Sequence, residues 1–275
     1  MNSPAERENS SESAVGAARG VDPGTRPAGA QDEAAASRYV REMFGRIAPK
    51  YDFLNHLLSL SLDKTWRRKT AKRFRVILRK PESRVLDLCC GTGDLTFALD
   101  RERGPVLQWG SEKTGFILGA DFSQPMLALA LDKARAANAG ANFLAADSLA
   151  LPFPDSSFDL ITVAFGFRNL ANYQAGLREI FRLLRRGGEA GILEFSEPRT
   201  WPVAPVYRFY FRRILPRIGG AISGNANAYG YLPASVAKFP EPEELARWMR
   251  QAGFSTVEFS PWSFGAVTLH TGRRL

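Results

Sequence analysis

Between Arg84 and Asp94 an apolar run carries an acid at Asp87, turns on Gly91-Thr92-Gly93 and opens a helix at Asp94. A strand that passes through such a turn into a helix commits a chain to a sheet covered by helices on both faces. The rest of the sequence repeats that alternation. Strands are expected at Arg84–Leu88, Phe116–Asp121, Asn142–Ala145, Phe158–Phe165 and Ala190–Phe195. Helices are expected at Asp94–Asp100, at Gln124–Ala137, and from Asn172 to a stop at Gly187-Gly188. Another helix starts at Pro242 and stops at Gly253, and strands near Thr256–Phe259 and Ala266–His270 follow it. The expected fold is α/β: a doubly wound, mostly parallel sheet of seven strands. Ligands of such sheets bind beyond the carboxyl ends of the strands.

The chain divides unevenly. Residues 1–36 hold no Phe, Tyr, Trp, Leu or Ile, so they cannot offset their ordering entropy and are expected to be a disordered tail. Their six acids argue against a transit peptide. Order is expected from Ser37, where Val40, Met43, Phe44 and Ile47 mark an amphipathic helix, with a second helical region at about Leu54–Leu78. Residues 37–275 then form one domain, with 37–80 as an N-terminal helical cap and 198–240 as a lid or substrate segment. No apolar run is long enough to span a bilayer and no secretory signal is present, which points to the cytoplasm. Cys89 and Cys90 are adjacent, which excludes a disulfide framework; with only two histidines, no metal is expected.

The net charge of +9 is concentrated. From Lys64 to Lys80 there are nine basic residues and no acid, and 198–240 is again acid-free with six basic residues. Such stretches suit an anionic membrane surface or a nucleic acid, or are solvated basic faces. Nucleic acid is not the expected partner, because Trp66 and Phe74 are the only aromatics of the first stretch and no recognition motif appears.

Three successive strands carry acids at their ends: Asp87, Asp121 and Asp147, the last followed by Ser148. Gly91-Thr92-Gly93 lacks the third glycine of a dinucleotide fingerprint, and acids repel a pyrophosphate. They attract an ammonium or sulfonium. S-adenosylmethionine carries both and no phosphate. Asp121 is placed for ribose hydroxyls and Asp147-Ser148 for an adenine amino group.

The sequence also resembles the ubiquinone/menaquinone biosynthesis C-methyltransferases, within the class I S-adenosylmethionine-dependent methyltransferases. The resemblance runs from about Tyr39 to Leu275. It rests on Phe44-Gly45-Arg46-Ile47-Ala48-Pro49-Lys50-Tyr51-Asp52, on Asp87–Thr96, on Leu151-Pro152-Phe153-Pro154-Asp155, on Phe165-Gly166-Phe167-Arg168-Asn169 and on Gly230-Tyr231-Leu232. It departs at Asp63, where the family usually has histidine. The resemblance implies a Rossmann-like fold with a helical lid insertion, S-adenosylmethionine as cosubstrate, and methylation of a ring carbon of a prenylated quinol. Demethylmenaquinol is the favoured acceptor; a benzoquinol of ubiquinone synthesis or another small acceptor is the alternative. Asp87, Gly91, Thr92, Gly93, Asp121, Asp147 and Ser148 form the expected cofactor set.

Carbon methylation needs an electron-rich ring, so a field or donor must favour the neighbouring phenolate. Arg168 is the expected fixed cation, Asn169 a donor and acceptor in the same turn, and Tyr51 a group closing the pocket; the plain alternatives are a loop salt bridge, a helix cap and core packing. His56 is expected on a helix surface and His270 in the core. The Trp201–Arg217 stripe alternates apolar residues with arginines, as an interfacial helix or a packed lid would. Oligomeric state is left open.

Overall fold

A computed structural model describes residues 23–27, 29–104, 115–214 and 226–275. Seven strands form one sheet in the order β3-β2-β1-β4-β5-β7-β6. They are β1 (Arg84–Leu88), β2 (Phe116–Asp121), β3 (Asn142–Ala145), β4 (Phe158–Ala164), β5 (Leu184–Phe195), β6 (Glu258–Trp262) and β7 (Val267–Arg273). The first five run parallel, while β7 lies antiparallel between β5 and β6. Alternating side chains build a core on each face. Val85, Ile117 and Leu160 pack on one side with Phe74 and Leu78, beneath α2 (Leu62–Arg73), α3 (Arg75–Leu78) and α4 (Asp94–Arg103). Leu86, Ile161 and Ile192 pack on the other with Leu177 of α6 (Tyr173–Leu183) and Leu245 of α9 (Pro242–Gln251).

The expected boundary at Ser37 moves towards the N-terminus. Helix α1 spans Glu33–Leu58, and Asp32 caps it by accepting the Ala35 N–H. Ahead of it Pro23–Arg26 lies against the loop before α6: Thr25 N–H reaches Leu170 O and Tyr173 N–H reaches Pro23 O, both at 2.8 Å. Backbone groups hold this segment, so its lack of large apolar side chains gave no sign of the contact. The remainder of the expected tail, 1–22, lies outside the described residues.

Helix α6 also ends earlier than Gly187-Gly188, at Leu183, and the chain passes directly into β5. The two glycines serve an irregular strand: Gly187 is left-handed (φ 80°), and a Cβ at Gly188 would stand 3.1 Å from Asp159 O. Helix α5 (Gln124–Ala137) packs on α1 through Met126, Met43 and Ile47. The lid segment contributes α7 (Val203–Phe209) and α8 (Ala226–Lys238). No helix among the described residues is long and apolar enough to cross a membrane.

Candidate active site

Strands β1 to β4 end at a cleft of about 620 Å³. The turn after β1 makes one wall. Cys89, Gly91 and Gly93 all take left-handed backbone there (φ 51°, 55° and 85°), which folds the chain tightly enough to aim backbone N–H groups at β2. Gly91 N–H donates to Asp121 Oδ2 at 2.9 Å, while Asp121 Oδ1 accepts the Ser123 N–H at 2.8 Å. Burial raises the pKa of the Asp121 carboxyl, and the backbone donors work against that rise. Each oxygen keeps a further lone pair for a ligand. Asp147 lines the same cleft, steadied by the Leu149 N–H on its Oδ1, and Ser148 sits beside it against the Cys89 thiol.

Gly91 and Tyr51 also border a smaller cavity of about 320 Å³, lined by Arg67, Asp87, Thr92 and Asp94. Asp87 is buried, and its two oxygens accept the hydroxyls of Thr96 (2.6 Å) and Thr162 (2.8 Å). Burial pushes its carboxyl up to about 6. It therefore ties β1, β4 and α4 together beneath the turn and forms the cavity floor. Thr92 is turned towards α1: its hydroxyl donates to Asp52 Oδ1, and Lys133 Nζ donates to Thr92 at 3.0 Å. Lys133 also pairs with Asp52 and Asp94, so three charged groups clasp α1 and α5 over the glycine turn. Gly93 has no room for a side chain, since a Cβ would meet Phe97 at 2.9 Å.

Arg67 is the site residue that sequence reasoning missed. Its guanidinium is buried, bonded to Asp63, 3.7 Å from Asp94 and 5.2 Å from the Phe165 ring centre. Burial alone would raise the Asp63 carboxyl, but Arg67 and Ser59 hold it below the usual range. The available signal was Asp63–Arg67 at i, i+4, the last acid before the basic run. His56 Nδ1 completes the group at 2.8 Å from Asp63, and Arg67 supplies the positive charge that these acids need.

Of the three expected catalytic groups, two face the cleft. Tyr51 and Asn169 line it. Burial raises the Tyr51 pKa against the opposing fields of Arg168 and Arg67, so at neutral pH the hydroxyl is a donor. The third, Arg168, is paired within the protein. Arg168 is committed to Glu194, with Nη1 2.9 Å from Oε2 and 3.2 Å from Oε1, and donates as well to Phe165 O. A guanidinium placed among two carboxylate oxygens and a carbonyl is a support for the Phe165–Asn169 turn. The turn is tight: Phe165 is left-handed (φ 60°), and a Cβ at Gly166 would stand 2.3 Å from the Cβ of Cys89.

No lysine or arginine lines the larger cleft among the described residues, whereas two carboxylates do. That lining disfavours a diphosphate and suits a cationic ligand with hydroxyl and amino groups to be accepted. Apolar walls from Phe44, Phe122, Met126 and Leu149 complete it, in the manner of small-molecule sites.

Comparison with known proteins agrees with this chemistry. The sequence model of the ubiE/COQ5 methyltransferase family matches residues 32–274. A Thermus thermophilus protein named demethylmenaquinone methyltransferase is 49% identical, over 84% of this chain and 100% of its own length. A Deinococcus radiodurans protein of the same name is 45% identical, over 88% and 95%. Among solved structures, a Thermotoga maritima S-adenosylmethionine-dependent methyltransferase superposes with a TM-score of 0.58 at 17% identity, covering 85% of this chain and 99% of that one. The [4+2]-cyclase SpnF gives 0.57, also at 17% identity, covering 93% and 99%. At such identities the two structures speak for the fold alone.

Proposed function

The chain belongs to the ubiE/COQ5 methyltransferase family, and from that premise we propose that it methylates a ring carbon of demethylmenaquinol with S-adenosylmethionine. The observation that carries the reading is the cleft's lining: Asp121 and Asp147 beside the Gly91 turn, no lysine or arginine among the described residues, and the neutral donors Tyr51 and Asn169 in the same wall. Relatives that bear the demethylmenaquinone methyltransferase name over nearly their whole length support the naphthoquinol over a benzoquinol.

Bound S-adenosylmethionine supplies a methyl group on a sulfonium. Asp121 would accept its ribose hydroxyls, the Asp147-Ser148 turn its adenine amino group, and the cavity of Arg67, Thr92 and Asp94 its amino-acid end. Tyr51 and Asn169 would donate to the quinol oxygen as it gains negative charge, which enriches the neighbouring ring carbon. The apolar walls lower the local dielectric in which those neutral donors would act. The Arg168–Glu194 pair keeps the Asn169 turn in place.

The isoprenoid tail calls for a lipid-facing entrance. Along α7, Ala204 and Tyr207 face the protein while Val206 and Phe209 are exposed beside Arg208, as is Trp201 in the turn before the helix. We propose peripheral contact with an anionic membrane through that face; Leu215 and Arg217 of the expected stripe lie outside the described residues. The function is tested by incubating purified protein with methyl-labelled S-adenosylmethionine and either reduced demethylmenaquinone or the corresponding demethylated benzoquinol. Label in the naphthoquinol is expected, and its absence from both would overturn the assignment.

A further inference from the structure

The segment Pro23–Arg26 falls within the expected disordered tail, yet it is docked beside the cleft. Besides the two backbone bonds of Thr25 and Tyr173, Arg26 Nη1 donates to Ala171 O, and a Cβ at Gly24 would overlap the Ala171 carbonyl at 2.0 Å. Leu170 and Ala171, which receive this strap, line the cleft immediately after Asn169. Thr25 is buried, and its Oγ1 lies 2.9 Å from the hydroxyl of Tyr231 in α8. That hydroxyl in turn donates to Asn169 Oδ1 at 3.0 Å.

The proton count fixes the direction of this chain. A phenol has one hydrogen, and Tyr231 gives it to Asn169, so Thr25 must be the donor in the Thr25–Tyr231 bond. With Oδ1 drawn to Tyr231, the Asn169 amide is held in one orientation, and its NH2 group lies on the side away from the Tyr231 hydroxyl. We infer that Thr25 is a positioning residue that, through Tyr231, holds Asn169 with its amide N–H groups towards the substrate oxygen. The inference rests on the proposed quinol methylation for its catalytic meaning, but the hydrogen-bond chain exists independently of any substrate. Without Thr25, Tyr231 can rotate its hydroxyl away, and Asn169 can flip to present an acceptor that repels an oxyanion.

The test uses the full chain. Thr25→Val keeps the shape of the side chain and removes the hydroxyl; Thr25→Ser keeps the hydroxyl. In Thr25→Val, kcat for quinol methylation should fall roughly tenfold, as expected of a displaced catalytic group. Melting temperature and S-adenosylmethionine affinity should hold, and Thr25→Ser should restore the rate. Tyr231→Phe should match Thr25→Val, and the double variant should lose no more than either. The Asn169 side-chain amide resonances in NMR should shift in Thr25→Val and return in Thr25→Ser. A Thr25→Val enzyme with unchanged kcat and unchanged Asn169 resonances would overturn the inference. So would equal loss in Thr25→Ser, or free hydrogen exchange at the Tyr173 amide in wild type, which would mean the strap is not docked. Wild type that methylates no quinol would sink the proposed function instead, and the Asn169 resonances alone would then decide the relay.

Discussion

Arg168 and Glu194 meet with Nη1 2.9 Å from Oε2, their side chains 5% and 1% exposed, beneath the turn that carries Asn169. Removing one partner of such a pair strands the other charge, at a cost of about 3–5 kcal/mol. Glu194→Ala should therefore lower the unfolding free energy by that order. The double variant Arg168→Met/Glu194→Leu should recover most of it. Urea denaturation of Arg168→Met, Glu194→Leu and the double variant measures the coupling; additive losses would show that the two groups act independently.

Asp121→Ala removes the acceptor expected for the ribose and also frees the Gly91 N–H. The affinity for S-adenosylmethionine should drop by about 1.5–3 kcal/mol, the range for hydrogen bonds to a charged group. Calorimetry that returned wild-type affinity would take Asp121 out of the binding site.

Two buried groups oppose each other in acid. His270 is pushed down to about 4 from 6.5, chiefly by burial, so its contribution is present above pH 6.5 and is lost as pH falls towards 4. Asp87 is pushed up to about 6 from 3.8, so its contribution is present below pH 3.8 and is lost as pH rises through 6. Between pH 4 and 6 the two slopes offset. Asp87→Asn should leave only the histidine slope, and stability should then fall more steeply from pH 6.5 to 4 than in wild type. Denaturant midpoints at four pH values would show it, and parallel curves would refute it.

Gly166 has no freedom to grow, because its Cβ would strike another main-chain-anchored atom, the Cβ of Cys89. Gly166→Ala should cost about 1–3 kcal/mol as an overpacked contact. Cys89→Gly removes the struck atom and suits the left-handed backbone at that position (φ 51°). The double variant should thus be more stable than Gly166→Ala alone, by thermal melting.

What the sequence made legible follows from how each part is held. β1 and β2 have the bounds that hydrophobic patterning suggests, and Asp121 and Asp147 fall at strand ends because parallel sheets place their ligand groups there. The Gly91 turn was readable from its glycines. Arg67 was not, since a buried cation looks like its solvated neighbours until tertiary packing gathers Asp63 and Asp94 around it. The strap at Pro23–Arg26 was invisible for a different reason: backbone bonds and two polar side chains, Thr25 and Arg26, hold it, and none of these makes an apolar pattern. Arg168 was singled out without its partner, because Glu194 lies on another strand and only the fold brings the two charges together.

The placement of β7 sets an order on biosynthesis. It is the last of the described strands to leave the ribosome, yet it occupies an interior position, with β5 on one side and β6 on the other. Until it arrives, β5 is an open edge along Glu189–Phe195 and β6 has no neighbour to join. The parallel strands and the glycine turn can assemble first, but they wait with a bare row of N–H and C=O groups that another chain could pair with. Any slowing of synthesis ahead of Val267 prolongs that exposure, so a newborn chain is most prone to aggregate just before its last strand emerges.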